Sequence, residues 1–223
     1  MRRLRFEAIL LAVLLAVFLF ANHLLNPGNK LSQAEVDNYM SKLEQAPVPK
    51  EELAQMILHM RAWAEADDGK PVYMLNLMRY FPQLRALPEV ASFQGSPAEA
   101  NAYYEEHVMP ILFALGAYPL FVSELQGTLR GSTPSTNLVT FDPAVDNWNS
   151  VLIVRYPSRA AFLELLTDPQ YLKYLPYKTA SVLVALAPMK GDLILPQLDW
   201  ALGAGLLILF FAIAWLRALR RAA

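Results

Sequence analysis

Apolar residues are concentrated at the two ends of the chain, in residues 8–25 and 200–216. At about 1.5 Å of rise per residue, a helix of roughly 17 or 18 residues spans about 26 Å, close to the thickness of a bilayer's hydrocarbon core. Arginines flank each stretch on its outer side: Arg2, Arg3 and Arg5 before the first, and Arg217, Arg220 and Arg221 after the second. The pattern therefore predicts an N-terminal membrane anchor (residues 1–25) and a C-terminal transmembrane helix with a basic tail (residues 191–223).

Basic residues beside short spans mark the cytoplasmic side of a membrane. We therefore expect a two-pass protein of the bacterial inner membrane, with both termini in the cytoplasm and the central domain periplasmic. A cleaved signal peptide is the alternative for the first stretch, because residues 8–21 have the length of a signal-peptide apolar region behind a basic start. No small-x-small cleavage site is evident around residues 19–22, which favours an uncleaved anchor.

Charge distinguishes the ends from the centre. Six of the 19 Lys and Arg residues lie in the terminal flanks, whereas all but two of the 20 Asp and Glu residues lie between them. An acidic central region argues against nucleic-acid binding. The chain has no cysteine, and its three histidines are far apart in sequence. We therefore expect no metal and no other cofactor.

Residues 26–69 are predicted to form a helical stalk. Ser32 and Glu35 have the spacing of a capping box at the start of a helix, and Pro47 and Pro49 end it. The helix that follows has a stripe of apolar residues at helical spacing: Leu53, Met56, Ile57, Met60 and Trp63. We expect this stripe to pack on the next domain; a membrane-lying or partner-binding face is the alternative.

Residues 70–190 are predicted to form one α+β domain. Apolar runs and helix-start signals give the following elements in order: a strand over 72–78, a helix over 96–115, strands over 118–125 and 150–156, helical segments over 158–166 and 169–174, and a strand over 181–186. The order β-α-β-β-α-β is that of a ferredoxin-like fold, in which helices cover one face of an antiparallel sheet. The other face needs a different cover.

Several strings in this domain resemble one known family. Residues 71–80, with the sequence Pro-Val-Tyr-Met-Leu-Asn-Leu-Met-Arg-Tyr, resemble the opening strand of the bacterial domain of unknown function 1330-like family. Residues 148–162, 168–171 and 177–180 are similar to its later strand, helix and following segment. This family is a branch of the dimeric α/β-barrel superfamily, which has the ferredoxin-like fold.

The resemblance implies a homodimer in which two open sheet faces meet to form a barrel. Members of the wider superfamily include cofactor-free monooxygenases, isomerases and haem enzymes, but a shared fold does not select among these activities. Where the family usually has His-Arg, this chain has Tyr177-Lys178. A role that needs that histidine is therefore not expected here.

Three candidate pocket-lining residues lie on the first strand and the first domain helix. Asn76 interrupts an apolar strand, and a buried amide must find hydrogen-bond partners; it either lines a pocket or is a satisfied structural amide. Tyr104 and His107 lie three residues apart and are predicted to share a helical face. They could exchange protons with a substrate, or they could form part of an ordinary half-buried surface.

Three more candidates follow later in the chain. Arg155 lies near the end of an apolar strand, where it could bind a carboxylate of a ligand or partner protomer, or pair with an acid of its own domain. Tyr171 and Lys178 belong to a tyrosine-rich segment that also contains Tyr174 and Tyr177. That segment could form a ligand mouth or a dimer contact. The catalytic residues, if any, cannot be assigned from the sequence.

The sequence best fits a membrane-anchored, extracytoplasmic binding or accessory module. Its expected partners are the lipid bilayer, a second copy of the chain, and either a membrane protein or a small apolar ligand. One alternative is a membrane-tethered, cofactor-independent enzyme of monooxygenase or isomerase type that acts on a small apolar molecule. Another is a structural subunit of a membrane complex, because Ala201 and Gly205 have a spacing common in associating membrane helices.

Overall fold

A four-stranded antiparallel sheet organises the larger of two structural units. The computed structural model describes residues 2–44, 50–139, 142, 145–192 and 194–222. In order, the larger unit contains α1 (Arg2–Leu25), α2 (Gln33–Leu43), α3 (Lys50–Glu65), β1 (Val72–Tyr80), α4 (Pro97–Ala114), β2 (Tyr118–Glu124), β3 (Thr128–Arg130), β4 (Thr133–Ser135), β5 (Ser150–Tyr156), α5 (Arg159–Thr167), α6 (Pro169–Ser181) and β6 (Val182–Met189). The second unit contains α7 (Leu198–Ala222).

The strand order in the sheet is β2-β5-β1-β6, and every neighbouring pair is antiparallel. This order agrees with the predicted β-α-β-β-α-β arrangement, so the mixed α and β class and the antiparallel sheet are confirmed. A small hairpin, β3 and β4, lies between β2 and β5 in the chain. Helix α6 extends to Ser181, beyond the predicted end at residue 174, and β6 begins accordingly one residue later than expected.

Local signals in the sequence explain where the helices begin. The Ser32 and Ser96 hydroxyls each accept a hydrogen bond from the backbone amide three residues later, that of Glu35 or Glu99. The carboxylates of Glu35 and Glu99 accept hydrogen bonds from the backbone amides of Ser32 and Ser96, so both predicted capping boxes are present. Pro110 lies inside α4 without ending it. The proline break predicted at Pro47 and Pro49 lies outside the described residues.

Helices cover one face of the sheet. Residues 72, 74, 76 and 78 of β1 are buried and alternate with half-buried neighbours, as a strand with one covered face requires. The main core joins β1 and β5 to α4, α5 and α6 through the following residues: Val72, Met74, Tyr104, Val108, Leu112, Val154, Tyr156, Phe162, Leu165 and Tyr171. The opposite face includes Leu75, Leu77 and Ile153, which are half-buried; the end of α1 lies on this side of the sheet, near the end of β5. We call this surface the open face.

Helices α2 and α3 pack onto α5. Val36, Met40 and Leu43 of α2 form a buried cluster with Ala64 of α3 and Leu163 of α5, and Met60 and Trp63 of the predicted stripe border it. The described part of the segment expected to form a stalk therefore lies against the domain. Ile57, Met60 and Trp63 of the stripe pack on the domain, as predicted.

Backbone contacts hold the segment between α1 and α2 on the domain. The Leu31 amide donates to Asp67 Oδ2 at 2.9 Å, and the Gly69 amide donates to Asp67 Oδ1 at 3.1 Å. The Arg159 guanidinium forms an ion pair with Asp67 at 3.3 Å. Gly28 and Gly69 have φ angles of 73° and 75°, and a Cβ added to Gly69 would lie 2.7 Å from the Gly28 carbonyl oxygen. Only glycine fits this approach.

Arg155 holds the carboxyl end of α1. It alternates in β5 with the core residues Val154 and Tyr156, so it lies on the open-face side. Its Nη2 donates to the Leu25 carbonyl at 2.9 Å and to Asn26 Oδ1 at 2.7 Å. A cation is favourable at a helix carboxyl end, where unpaired carbonyls carry partial negative charge. The guanidinium thus finds neutral oxygen partners on α1, where the sequence suggested a carboxylate.

One helix of the described chain is long and apolar enough to cross a bilayer. It covers Leu198–Arg220, has a mean hydropathy of 2.1 and is not buried. The apolar part of α1, Ile9–Leu25, is shorter. The C-terminal candidate span is therefore found, and the N-terminal one is not confirmed.

We expect Gly69→Ala to destabilise the larger unit. The substitution places a side chain at positive φ and against the Gly28 carbonyl, which together should cost about 2 to 4 kcal/mol. Thermal unfolding of the full-length protein in detergent measures this. Gly28→Ala is the matched control, because it has the same backbone strain but nothing within 4 Å of the new Cβ. Equal losses in the two variants would contradict the close approach.

We expect Arg155→Met to loosen the linker after α1. The variant removes both hydrogen bonds to Leu25 and Asn26, at a cost of about 1 to 3 kcal/mol. Trypsin cleavage after the exposed Lys30 should accelerate in the full-length protein. Arg85→Met, which removes an exposed arginine of the same unit, is the control. An unchanged rate in Arg155→Met would show that this contact does not hold the linker.

Candidate functional site

A small cavity lies between the sheet and its covering helices. Its volume is about 40 Å³, room for about three water-sized probes. Most of its wall is apolar and comes from α4, β5 and α5: Val108, Met109, Leu112, Leu152, Val154 and Leu165. The polar lining residues are Asn76, Tyr104, Glu105, Tyr156 and Lys178. Three of the six residues predicted from sequence, Asn76, Tyr104 and Lys178, therefore meet here.

Lys178 supplies the cation of this cavity. Its Nζ donates to Asn76 Oδ1 at 3.1 Å and lies 5.2 Å from the centre of the Tyr104 ring. No carboxylate of the described residues forms an ion pair with it. Burial lowers the pKa of Lys178 from 10.5 to about 8, and the charge of Glu105 opposes this shift.

Asn76 is fixed by the sheet. Its side chain is buried, and its Nδ2 donates to the carbonyls of Met74 at 3.2 Å and Leu152 at 3.5 Å. Because the side-chain nitrogen of Asn76 donates to these carbonyls, its Oδ1 faces Lys178. Asn76 is thus both a satisfied structural amide and a pocket-lining residue.

Two buried tyrosines lie beside the lysine. The rings of Tyr104 and Tyr171 meet edge to face, with centres 6.1 Å apart. Burial raises the pKa of both phenols, and for Tyr104 the neighbouring Tyr171 raises it further. Both hydroxyls therefore remain protonated at neutral pH and can donate hydrogen bonds. Tyr171 packs behind Tyr104 and is not itself part of the cavity wall.

A polar chain continues from the cavity along α4. Asn101 Nδ2 donates to Glu105 Oε1 at 2.8 Å, and Asn101 is buried. Its Oδ1 has no hydrogen-bond partner among the described residues. The sequence interpretation missed Asn101 and Glu105. Their spacing of four residues, which places them on one side of a helix, was the available signal.

His107 and Arg155 lie elsewhere. The His107 ring stacks on Tyr174 with centres 4.3 Å apart, and its Nδ1 lies 2.8 Å from the Tyr103 carbonyl. Tyr174 and Tyr177 line a separate surface groove of about 350 Å³. Arg155 holds α1, as described above. The structure therefore does not bring Tyr104 and His107 together in one site.

Among the residues that the structure describes, no three His, Cys, Asp or Glu side chains are grouped so that they could hold a metal ion.

Comparison with known proteins gives few matches. No protein-family model matches the chain, and no curated protein matches it. The crystal structure of RPA0582, a protein of unknown function from Rhodopseudomonas palustris, is 30% identical in sequence; the match covers 68% of this chain and 98% of that one, with a TM-score of 0.48. The methylated form of RPA0582 is 29% identical over 68% of this chain and 96% of that one, with the same TM-score.

A more distant likeness is to SnoaB, a cofactor-independent oxygenase from Streptomyces nogalater. It is 14% identical, covers 57% of this chain and 99% of that one, and has a TM-score of 0.35. This likeness is too weak to bear on function. The strand order described above fits the dimeric α/β-barrel superfamily that the sequence resembles. Because the sequences are 30% identical over nearly the whole of the Rhodopseudomonas protein, the chain belongs to the family of RPA0582, a protein of unknown function.

Proposed function

We propose that the protein is a membrane-anchored, extracytoplasmic binding module that holds a small molecule between its sheet and helices. The observation that carries this proposal is the half-buried Lys178 ammonium at the cavity wall, which donates a hydrogen bond to the neutral amide of Asn76. Removing a charge from water costs several kcal/mol unless it is compensated. An oxygen of a bound molecule would supply that compensation.

The cavity walls define the chemistry of the ligand. One end offers a cationic donor, Lys178, and a phenol, Tyr104, while the remaining wall is largely aliphatic. Such a site suits a molecule with a carbonyl or carboxylate oxygen at one end and a short apolar body. At about 40 Å³, it accommodates only a few heavy atoms without side-chain movement. Binding of this kind requires no metal or cofactor.

A cofactor-independent enzyme is the second candidate, and the pKa of Lys178 favours it. A lysine with a pKa of about 8 has an appreciable free-amine fraction near neutral pH and can act as a base or nucleophile. Catalysis would be established if the full-length protein shows steady-state turnover and Lys178→Arg loses it while remaining folded. Ligand binding without turnover would instead support the binding module.

We also propose a homodimer formed through the open face, as in the domain of unknown function 1330-like family. The support is the apolar character of that face: Leu75, Leu77 and Ile153 at its centre, and the exposed side chains Phe121 and Leu183 nearer its edges. Uncovered apolar surface of this kind favours association. Light scattering of the detergent-solubilised protein tests it, and a single chain per particle would contradict it.

The proposed topology has two spans with both termini in the cytoplasm. Support comes from the length of α7, the arginine flanks and the contacts that tie α1 to Arg155. Reporter fusions after Lys70 and after Ala223 should report opposite sides of the membrane; the same side for both would overturn the topology.

We expect Lys178→Met to weaken ligand binding. Acetone and acetate are suitable probes, because each carries one oxygen-bearing group on a short body. Binding of their ¹³C-labelled forms to the full-length protein can be measured by NMR. The affinity should fall at least tenfold, because a charge-assisted hydrogen bond contributes about 1.5 to 3 kcal/mol. Lys173→Met, on the same helix but exposed, should bind normally. Binding of neither probe to the unmodified protein, or equal binding by Lys178→Met, would contradict the proposal.

The pH dependence of stability gives an independent check. Because the pKa of Lys178 is lowered by folding, the unfolded chain binds more protons than the folded one between pH 8 and 10.5. The free energy of unfolding contributed by this group therefore rises with pH across that window. We expect unmodified protein to gain stability relative to Lys178→Met as the pH is raised from 8 to 10. A constant difference would show that Lys178 titrates normally.

A further inference from the structure

We propose that Lys178 captures short-chain aldehydes or ketones as a reversible imine. This inference rests on the proposed function, since it names the ligand class and the bond formed in the same cavity. The side-chain nitrogen is the only amine among the described lining residues of that cavity. A carbonyl carbon placed there meets the amine directly.

The position of the amine is fixed before a ligand enters. Asn76 Oδ1 receives a hydrogen from Nζ at 3.1 Å, and Asn76 itself is held by two backbone carbonyls of the sheet. A neutral amine can keep this donated hydrogen bond while its lone pair remains available. The surrounding apolar wall limits the number of waters that could hydrolyse the product.

The bond changes balance without an oxidant or reductant. The Nζ lone pair attacks the carbonyl carbon, a C–N bond forms, and the carbonyl π electrons move to oxygen, which takes up a proton. The nitrogen loses one proton to give a neutral carbinolamine, whose hydroxyl takes up a second proton. The C–O bond then breaks with departure of water, the nitrogen lone pair forms the C=N bond, and loss of the second N–H proton leaves the neutral imine. Glu105 and Tyr104 line the same cavity and provide an acceptor and a donor for these proton transfers.

Burial supports the availability of the amine. With a pKa of about 8, roughly a tenth of Lys178 is unprotonated at pH 7, a fraction a few hundredfold larger than for an ordinary lysine. The exposed lysines of the chain, such as Lys173 and Lys190, lack this environment. Selectivity for one lysine is therefore expected within a single protein.

Cavity volume restricts the carbonyl compound. About 40 Å³ admits a body of a few heavy atoms. Acetaldehyde and propionaldehyde satisfy this limit, whereas hexanal does not. The dependence of the reaction on aldehyde chain length thus distinguishes reaction in the cavity from reaction at an exposed amine.

Reductive trapping tests the imine directly. Full-length protein in detergent is incubated with acetaldehyde and cyanoborohydride at pH 7, and alkylated lysines are located by peptide mass spectrometry. Lys178 should be alkylated at least tenfold faster than Lys173, five positions earlier on the same helix, and hexanal should remove this preference. Since both lysines are compared in one folded protein, the test does not depend on a variant that folds.

The outcomes separate this inference from the proposed function. Alkylation of Lys178 no faster than Lys173, with acetone or acetate still bound in a Lys178-dependent manner, would overturn the imine and leave the binding module standing. Absence of both trapping and binding would overturn both. Lys178→Arg provides the final control, because it keeps the positive charge, cannot form the imine and should leave the other lysines alkylated as before.

Discussion

Lys178, which lies half-buried between the sheet and its helices, sets the character of this domain. The ladder between β1 and β5 provides the carbonyls that orient Asn76, and Asn76 in turn positions the ammonium of Lys178. Each step follows from a hydrogen-bonding requirement that a buried polar group must satisfy. With these bonds made, the Lys178 ammonium is a cationic donor that faces a small, largely apolar cavity. The proposed ligand, an oxygen-bearing group on a short apolar body, follows from this arrangement.

A second cation, Arg155, is buried on the other side of the sheet and has a different role. Arg155 is only 6% exposed and bonds to the last carbonyl of α1 and to Asn26. Neither cation has a carboxylate within ion-pair distance among the described residues, so each relies on neutral oxygens. The covered side holds the cavity, while the open-face side holds the membrane-anchor candidate. The sheet thus separates the proposed ligand site from the attachment of α1.

The sequence was most informative where local rules determine structure. The capping boxes at Ser32 and Ser96 and the alternation in β1 depend on residues a few positions apart, and all are present as predicted. Asn76 was singled out because a polar residue in an apolar strand must have partners. Lys178 was identified as a pocket candidate, but its partner lies 102 positions away, so their contact could not be read from local spacing.

The remaining features depended on tertiary packing. His107 is three positions from Tyr104, yet a rotation of about 60° around a helix is enough to direct it to a different surface. Glu105 is adjacent to Tyr104 in sequence, but only the packing of α4 on the sheet shows that it lines the same cavity. Arg155 was expected to meet an acid or ligand carboxylate; its partner is instead the end of α1, about 130 residues earlier.

Direct titration of Lys178 tests the central claim. NMR of the ¹³Cε and ¹⁵Nζ resonances, assigned by comparison with Lys178→Arg, follows its protonation in the full-length protein. We expect a midpoint near pH 8, because partial removal of the side chain from water disfavours its charged form. A midpoint near 10.5 would contradict this, because a lysine that titrates normally would be fully hydrated and would not face the apolar cavity.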